Sequence, residues 1–195
     1  LIYPFPFYKK MQSKKIFLSL IAALTFTASS ATASDVYSVD TFAIGTLING
    51  QFKVPNKEKA EACYKILNDE TRRLEYILSA YDPDSDVTRL NEHPGEWIQI
   101  EPETFEILNG SKTIAALTHG TFDPTVGALV KLWSVDQPEH RVPSEAEIKK
   151  ALINVDYNLI DAKKENGKYF GKIGKKQAVA FGAIGKGYIA DKVIN

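Results

Sequence analysis

A glycine-rich segment near the end of the chain has the residue types that hold phosphate groups. Residues 181–188 read FGAIGKGY and lie between a strand-like stretch and a helix-like one. Glycines at such a junction let backbone N–H groups converge on an anion, and Lys186 would add a positive charge. The spacing matches neither the P-loop, which needs Ser or Thr after the lysine, nor the dinucleotide-binding fingerprint. The segment alone is a weak indication of phosphate binding, and an ordinary strand–helix connection is the competing interpretation.

Two other loops place polar and aromatic side chains at predicted helix ends. Residues 81–91 read YDPDSDVTRLN, and residues 119–127 read HGTFDPTVG. Tyr81 could offer its ring face to a planar ligand, although spacing alone favours a core-anchoring tyrosine in a helix-ending turn. Asp123 precedes a proline, so its backbone should be extended and its carboxylate held in the loop. His119 is more typical of a helix end, where it interacts with the dipole, than of a catalytic group.

The elements that position these loops include both helices and strands. Alternating apolar residues predict two strands within residues 41–54, joined by a turn at Asn49-Gly50. An apolar stripe at three- and four-residue steps predicts a helix from Asn56 to Tyr81. Further helices are expected from Pro102 to Gly120, after a capping box of Ser144 and Glu147, and from residue 185, with strands at 97–100, 155–160, 168–173 and 177–181. The predicted fold class is α+β, a mostly antiparallel sheet with flanking helices.

The beginning of the chain has the pattern of a secretory signal peptide. Met11, the only methionine, is followed by two lysines, an apolar run over residues 16–26 and a small-residue tract that ends at Ala33. The apolar run is shorter than the roughly 20 residues needed to span a bilayer. We therefore expect a signal peptide over residues 11–33 and a periplasmic protein with no transmembrane segment.

The remaining boundaries and partners follow from composition. Residues 1–10 precede the methionine and are interpreted as upstream read-through, and residues 34–195 as the N-terminal part of the functional domain. The formal net charge is zero, with 24 basic and 24 acidic residues and no basic stripe, so nucleic acid is not an expected partner. Cys63, the only cysteine, should be a buried helix position and lies too far from the signal to carry a lipoprotein anchor.

Six segments in order resemble the ApbE family, the FAD:protein FMN transferases. The matching segments are residues 43–46 (AIGT), 81–85 (YDPDS), 89–91 (RLN), 120–127 (GTFDPTVG), 132–133 (LW) and 182–191 (GAIGKGYIAD). The resemblance extends from about Thr41 to the last residue and covers about the first half of the family's domain. It implies the ApbE-like flavin transferase fold, with FAD bound in a cleft between the two halves of that domain.

The resemblance also implies roles for individual positions. Seven positions should line the FAD cleft: Ile44, Tyr81, Thr121, Phe122, Asp123, Ala180 and Lys186. The backbone carbonyl of Ala183 should belong to a magnesium site, and Lys186 should stabilise the charge of the diphosphate rather than act as a base. Two positions depart from the family, which usually has Met at position 44 and Asp at position 180. The second departure removes a carboxylate near the flavin nucleotide.

The implied reaction is the magnesium-dependent transfer of FMN from FAD to a threonine of an acceptor protein, with release of AMP. Two alternatives stay open, namely hydrolysis of FAD to FMN and AMP in the same site and flavin binding without turnover. The alanine at position 180 suggests the second of these. The other magnesium ligands and a histidine near the phosphates come from the second half of the family's domain. We therefore expect that residues 34–195 do not catalyse by themselves.

Overall fold

The computed structural model describes residues 35–134 and 141–194, which form helices and two small antiparallel sheets. The strands are β1 (Val36–Ala43), β2 (Thr46–Lys53), β3 (Ile98–Ile100), β4 (Asp161–Glu165) and β5 (Lys168–Lys172). The helices are α1 (Lys57–Leu78), α2 (Asp86–Glu92), α3 (Pro102–Leu117), α4 (Gly127–Trp133), α5 (Glu145–Leu152) and α6 (Gly185–Ile194). One sheet is β1–β2 and the other has the order β3–β5–β4. The predicted α+β class is confirmed.

The expected read-through over residues 1–10 and the expected signal peptide over residues 11–33 lie outside the described residues. Both stay predictions. None of the helices within 35–134 and 141–194 is long and apolar enough to cross a membrane.

The main core lies between the β3–β5–β4 sheet and the helices α2 and α3. Its buried side chains come from both helices, from β3 and from segments outside the strands: Val87, Leu90, Ile100, Ile107, Leu108, Ile160, Ile173, Val179 and Phe181. Gly171 of β5 lets α3 pack closely, because an added Cβ there would lie 2.9 Å from Leu108 Cδ1. Val179 and Phe181 belong to this core, so it anchors the chain immediately before the glycine-rich loop.

The helix α1 supports the β1–β2 hairpin, and its predicted start is confirmed. The Asn56 side chain caps the helix by accepting a hydrogen bond from the Lys59 N–H at 3.0 Å. Gly50 of β2 lies directly on α1, because an added Cβ would be 2.9 Å from Leu67 Cδ1. The helix ends at Leu78, three residues before the predicted end, since Ser79 has an extended backbone. Cys63 is helical as predicted but half-buried.

The turn of the β1–β2 hairpin lies at Ile44 and Gly45, so the predicted turn at Asn49-Gly50 is wrong. Both turn residues are left-handed, with φ of 48° and 67°, as a two-residue hairpin turn that matches the strand twist requires. Asn49 lies inside β2 and donates a hydrogen bond to Asp40 on β1 at 2.8 Å. The left-handed conformation costs a residue such as isoleucine about 1–2 kcal/mol. Local preference therefore favours the Asn-Gly pair, and tertiary contacts select the other site.

Two predicted strands also differ from the structure. Residues 155–160 contain a single 3₁₀ turn at Tyr157–Leu159, because the Asp156 carboxylate accepts a hydrogen bond from the Asn158 N–H at 2.9 Å. The strand β4 begins only after this turn. Residues 177–181 make an isolated parallel bridge, between Val126 and Ala178, instead of a regular strand.

Candidate functional site

The three motif loops meet at the short segment 178–180. The Asn91 side-chain amide makes two hydrogen bonds with the backbone of Val179, as a neighbouring strand would. It donates to the Val179 carbonyl at 3.0 Å and accepts from the Val179 N–H at 2.7 Å. The N–H of Ala180 donates to the carbonyl of Pro124 at 2.8 Å. The first motif and the second motif therefore hold the segment that leads into the third.

Gly127 allows the second motif to approach this segment closely. Its N–H donates to the Ala178 carbonyl at 3.0 Å, and an added Cβ would lie 2.6 Å from that same oxygen. Any side chain at this position would push the start of α4 away from the segment. The motif glycine is thus required by packing rather than by an unusual backbone angle.

A cavity of about 340 Å³ lies beside the segment and contains two of the predicted flavin positions, Tyr81 and Ala180. Tyr81 is 71% exposed, so the interpretation of this ring as a core anchor is wrong. Ala180 is half-buried and contributes a methyl group where the family usually has a carboxylate. Half of the ten other lining residues are polar or charged, and most come from α2, from α4 and from its C-cap: Thr88, Asn91, Glu92, Gly127, Val130, Lys131 and Ser134, with Ala80, Ala178 and Val179.

Other polar residues of the first motif build the loop that carries Tyr81. The Ser85 hydroxyl caps α2 by accepting a hydrogen bond from the Thr88 N–H at 3.0 Å. Asp86 is buried, and its carboxylate accepts a hydrogen bond from the Thr104 hydroxyl at 2.6 Å. These two side chains stabilise the loop, and Tyr81 is among the residues of the motif that stay exposed.

Asp123 is buried, and both of its carboxylate oxygens accept hydrogen bonds from protein groups. One oxygen accepts from the Thr125 N–H at 2.8 Å and from the Thr125 hydroxyl at 2.6 Å, and the other accepts from the Tyr157 N–H at 3.0 Å. Asp123 therefore fixes the second motif against the 3₁₀ turn. The adjacent Thr121 is exposed and Phe122 is half-buried, and neither of them lines the cavity beside Ala180.

We expect the Asp123→Ala substitution to lower the free energy of unfolding by about 2–6 kcal/mol. The reason is that two N–H donors lose their acceptor, at about 1–3 kcal/mol for each buried donor. Chemical denaturation measures the change, and Asp84→Ala, an exposed acid of the first motif, is the control expected to stay within about 0.5 kcal/mol. An unchanged stability together with weaker FAD binding would instead place the Asp123 carboxylate against the ligand.

Ile44 and Lys186 both line a second cavity of about 620 Å³, an open one bordered by β2, α1 and α6. Its walls are largely apolar and include Leu47, Ile48, Phe52, Cys63, Ile66, Leu67, Ile189 and Val193. Lys186 is exposed in the first turn of α6 and has no ion-pair partner within the described part of the chain. The structure therefore divides the predicted positions between two cavities, while the loop with Thr121, Phe122 and Asp123 lines neither.

The glycine-rich loop ends in a tight turn before α6. The Phe181 carbonyl accepts hydrogen bonds from the Ile184 N–H at 3.0 Å and from the Gly185 N–H at 2.6 Å. Among residues 35–134 and 141–194, no group donates a hydrogen bond to the Ala183 carbonyl, and Ala183 is exposed. This oxygen is therefore available as a ligand, and the N–H groups of Lys186 and Gly187 in the first turn of α6 have no acceptor within the described residues.

Glu106 on α3 holds α6 in place through two residues of that helix. The Tyr188 hydroxyl donates to the Glu106 carboxylate at 2.8 Å, and the Lys192 ammonium lies 2.5 Å from the same oxygen. Burial and this hydrogen bond raise the pKa of Tyr188, so the hydroxyl keeps its proton as a donor. Tyr188 belongs to the third motif, and its role in the structure is to orient the helix that carries Lys186.

The described residues fit a flavin nucleotide better than they fit a complete magnesium site. An exposed tyrosine ring, an unpaired lysine and the N-terminus of α6 are the groups that a planar ring and a diphosphate need. The Ala183 carbonyl is one suitable oxygen ligand for magnesium. Within the two described ranges, no three His, Cys, Asp or Glu side chains come together as a metal-binding group.

The chain belongs to the ApbE family, whose sequence profile matches residues 29–195. The FAD:protein FMN transferase of Treponema pallidum is 29% identical over 171 residues, which cover 81% of this chain and 45% of that protein. The FAD:protein FMN transferase of Klebsiella pneumoniae is 25% identical over 160 residues, covering 81% of this chain and 49% of that protein. The chain thus spans about half the length of these curated relatives.

Solved structures of the family share the fold. The ApbE protein of Thermotoga maritima superposes with a TM-score of 0.74 at 30% identity, covering 81% of this chain and 51% of that one. The flavinyl transferase ApbE of Pseudomonas stutzeri superposes with a TM-score of 0.70 at 23% identity, covering 83% and 52%. The family resemblance and the fold predicted from the motifs are confirmed.

Proposed function

We propose that this protein transfers FMN from FAD to a threonine hydroxyl of an acceptor protein, in a reaction that depends on magnesium and releases AMP. Membership of the ApbE family and the names of its curated relatives support the transferase class. The observation that carries the proposal for this chain is the junction at residues 178–180, where the first two motif loops hold the segment that leads into the third, beside the cavity lined by Tyr81 and Ala180.

Lys186 and the N-terminus of α6 would bind the diphosphate of FAD. An ammonium group and backbone N–H donors stabilise the negative charge that shifts during phosphoryl transfer, without taking or giving a proton. Tyr81 would contact a planar ring of the nucleotide, because it lines a cavity of about 340 Å³ and is 71% exposed.

The proposed step is a displacement at the phosphorus of the FMN half. A bond forms between the threonine oxygen and this phosphorus, and the bond from phosphorus to the bridging oxygen breaks. AMP leaves with that oxygen, and the hydroxyl proton is lost to a base. Magnesium, when bound, would supply charge neutralisation on the diphosphate, with the Ala183 carbonyl among its ligands.

Incubating the protein, produced with any residues that its gene encodes after Asn195, with FAD, magnesium and a threonine-bearing acceptor tests the proposal. Flavin fluorescence that stays on the denatured acceptor, with one AMP released for each flavin attached, is the expected result. An acceptor with valine in place of the threonine is the matched control and should remain unlabelled. Release of free FMN at the same rate with either acceptor would favour hydrolysis, and intact FAD would favour binding without turnover.

We also propose that the protein acts in the periplasm after removal of residues 1–33. The signal-peptide pattern predicts that the mature chain begins at Ser34. N-terminal sequencing of the protein from a periplasmic extract should therefore start with Ser-Asp-Val-Tyr. An extract in which the chain starts at Leu1 or Met11 would contradict the prediction.

A further inference from the structure

Ile44 is one of the predicted flavin positions, and its backbone has an unfavourable conformation. It lines the larger cavity together with Lys186, and its φ of 48° lies in the left-handed region that β-branched residues avoid. A residue held in this way persists only when its surroundings determine it. Two side chains of α1, Glu75 and Arg72, contact the backbone at the Ile44–Gly45 turn.

Glu75 of α1 binds the turn directly. Its carboxylate accepts a hydrogen bond from the Ile44 N–H at 2.6 Å, and the two residues are 31 positions apart in the sequence. In a two-residue hairpin turn the first central N–H points away from the partner strand, so this donor needs an acceptor from elsewhere. A charged acceptor makes the hydrogen bond stronger than a neutral one would.

Arg72, which precedes Glu75 by three residues on α1, binds the backbone next to the same hairpin turn. Its guanidinium donates to the Phe42 carbonyl at 3.2 Å and lies 3.5 Å from the second carboxylate oxygen of Glu75. Arg72 and Glu75 are three residues apart on α1 and therefore share a face of that helix. Two contacts from one rigid helix thus reach the backbone on both sides of residue 43.

We propose that Glu75 is a positioning residue for the flavin nucleotide, because it holds Ile44 in the left-handed conformation that places this side chain in the cavity of Lys186. Arg72 assists by orienting the Glu75 carboxylate and by binding the strand before the turn. The inference rests on the proposed function, since it assumes that the Ile44 cavity receives part of FAD. Without these contacts of Glu75 and Arg72, Ile44 would leave the left-handed conformation and its side chain would no longer line the cavity.

The test measures FAD affinity and steady-state transfer for variants of the protein, produced with any residues that its gene encodes after Asn195. We expect Glu75→Ala to raise the Kd and the KM for FAD by about tenfold, on the scale of one charge-assisted hydrogen bond, with a much smaller change in kcat. Glu75→Gln keeps an oxygen acceptor for the Ile44 N–H and should restore FAD affinity to within about twofold to threefold of the wild type. Glu61→Ala is the matched control, because it removes a carboxylate of an exposed ion pair with Lys57 elsewhere on α1.

The outcomes separate this inference from the proposed function. Wild-type protein that binds no FAD would overturn the proposed function and the inference with it. Wild-type protein that binds and transfers flavin, with a Glu75→Ala variant whose FAD affinity equals that of Glu61→Ala, would overturn the inference alone. Equal losses in Glu75→Ala and Glu75→Gln would also overturn it, because the hydrogen-bond acceptor would then not be the relevant property.

Discussion

Replacing Lys186 with alanine should weaken FAD binding by about 1–3 kcal/mol, which is roughly 5-fold to 150-fold in Kd. Lys186 is exposed in the first turn of α6, beside the Ala183 carbonyl and within the cavity that also contains Ile44. Its ammonium group can therefore reach a diphosphate without first breaking an ion pair. The transfer rate should fall by a larger factor than the affinity, because negative charge shifts on the phosphates in the transition state.

Fluorescence titration of FAD and single-turnover transfer measure the two effects separately. Lys186→Arg keeps the charge, so its FAD affinity and transfer rate should fall less than those of Lys186→Ala. Lys176→Ala removes an exposed lysine that lines neither cavity, and it should leave FAD affinity and transfer rate unchanged. The variants should keep wild-type stability, since Lys186 makes no contact in the described structure that folding requires. Unchanged affinity and rate in Lys186→Ala would assign this lysine to an ordinary solvated helix face.

A polypeptide of residues 34–195 should show no magnesium-dependent release of AMP from FAD. The chain spans about half the length of its curated relatives, and the only magnesium ligand that we assign in it is the Ala183 carbonyl. Magnesium is usually held by one or two carboxylates together with substrate phosphates, so one backbone oxygen does not retain it. We also expect this polypeptide to be poorly soluble or to bind FAD weakly, because the apolar cavity beside β2 is open and Phe42 and Leu47 are 64% and 67% exposed.

Size-exclusion chromatography and an AMP assay with and without magnesium test both statements. A full-length relative, such as the Treponema pallidum transferase, is the positive control for the AMP assay. A folded, monomeric polypeptide of residues 34–195 that releases AMP only with magnesium would contradict the prediction. In that case Asp123, Asp191 or another acid of this part would have to hold the metal.

Local signals in the sequence predicted several elements correctly. The apolar stripe and the Asn56 cap predicted α1, and the capping box of Ser144 and Glu147 is present at the start of α5. The helix α3 ends at Leu117, three residues before the predicted end, and the left-handed residues His119 and Gly120 follow its C-cap. These features depend on residues three or four positions apart, so the sequence contains the interacting groups side by side.

The prediction failed where distant contacts outweigh local preference. The Asn49-Gly50 pair is a strong hairpin signal, yet Gly50 lies within β2 because Leu67 of α1 packs against it. Residues 177–181 have a strand-like pattern, but their partners are the Asn91 side chain on Val179 and an isolated backbone bridge between Ala178 and Val126, rather than a regular strand. Neither outcome can be read from a short window of sequence.

The sequence by itself determined the family, the α+β class and the order of the motif loops, because these depend on residue types at fixed local spacing. Only the tertiary structure decided what each motif residue does. It joins Asn91 to Val179 across 88 positions and Ile44 to Glu75 across 31, and it turns the Asp123 carboxylate toward backbone donors while Tyr81 stays exposed. The physical reason is that hydrogen-bond partners and burial are set by which distant segments pack together, and the spacing within a motif carries no record of them.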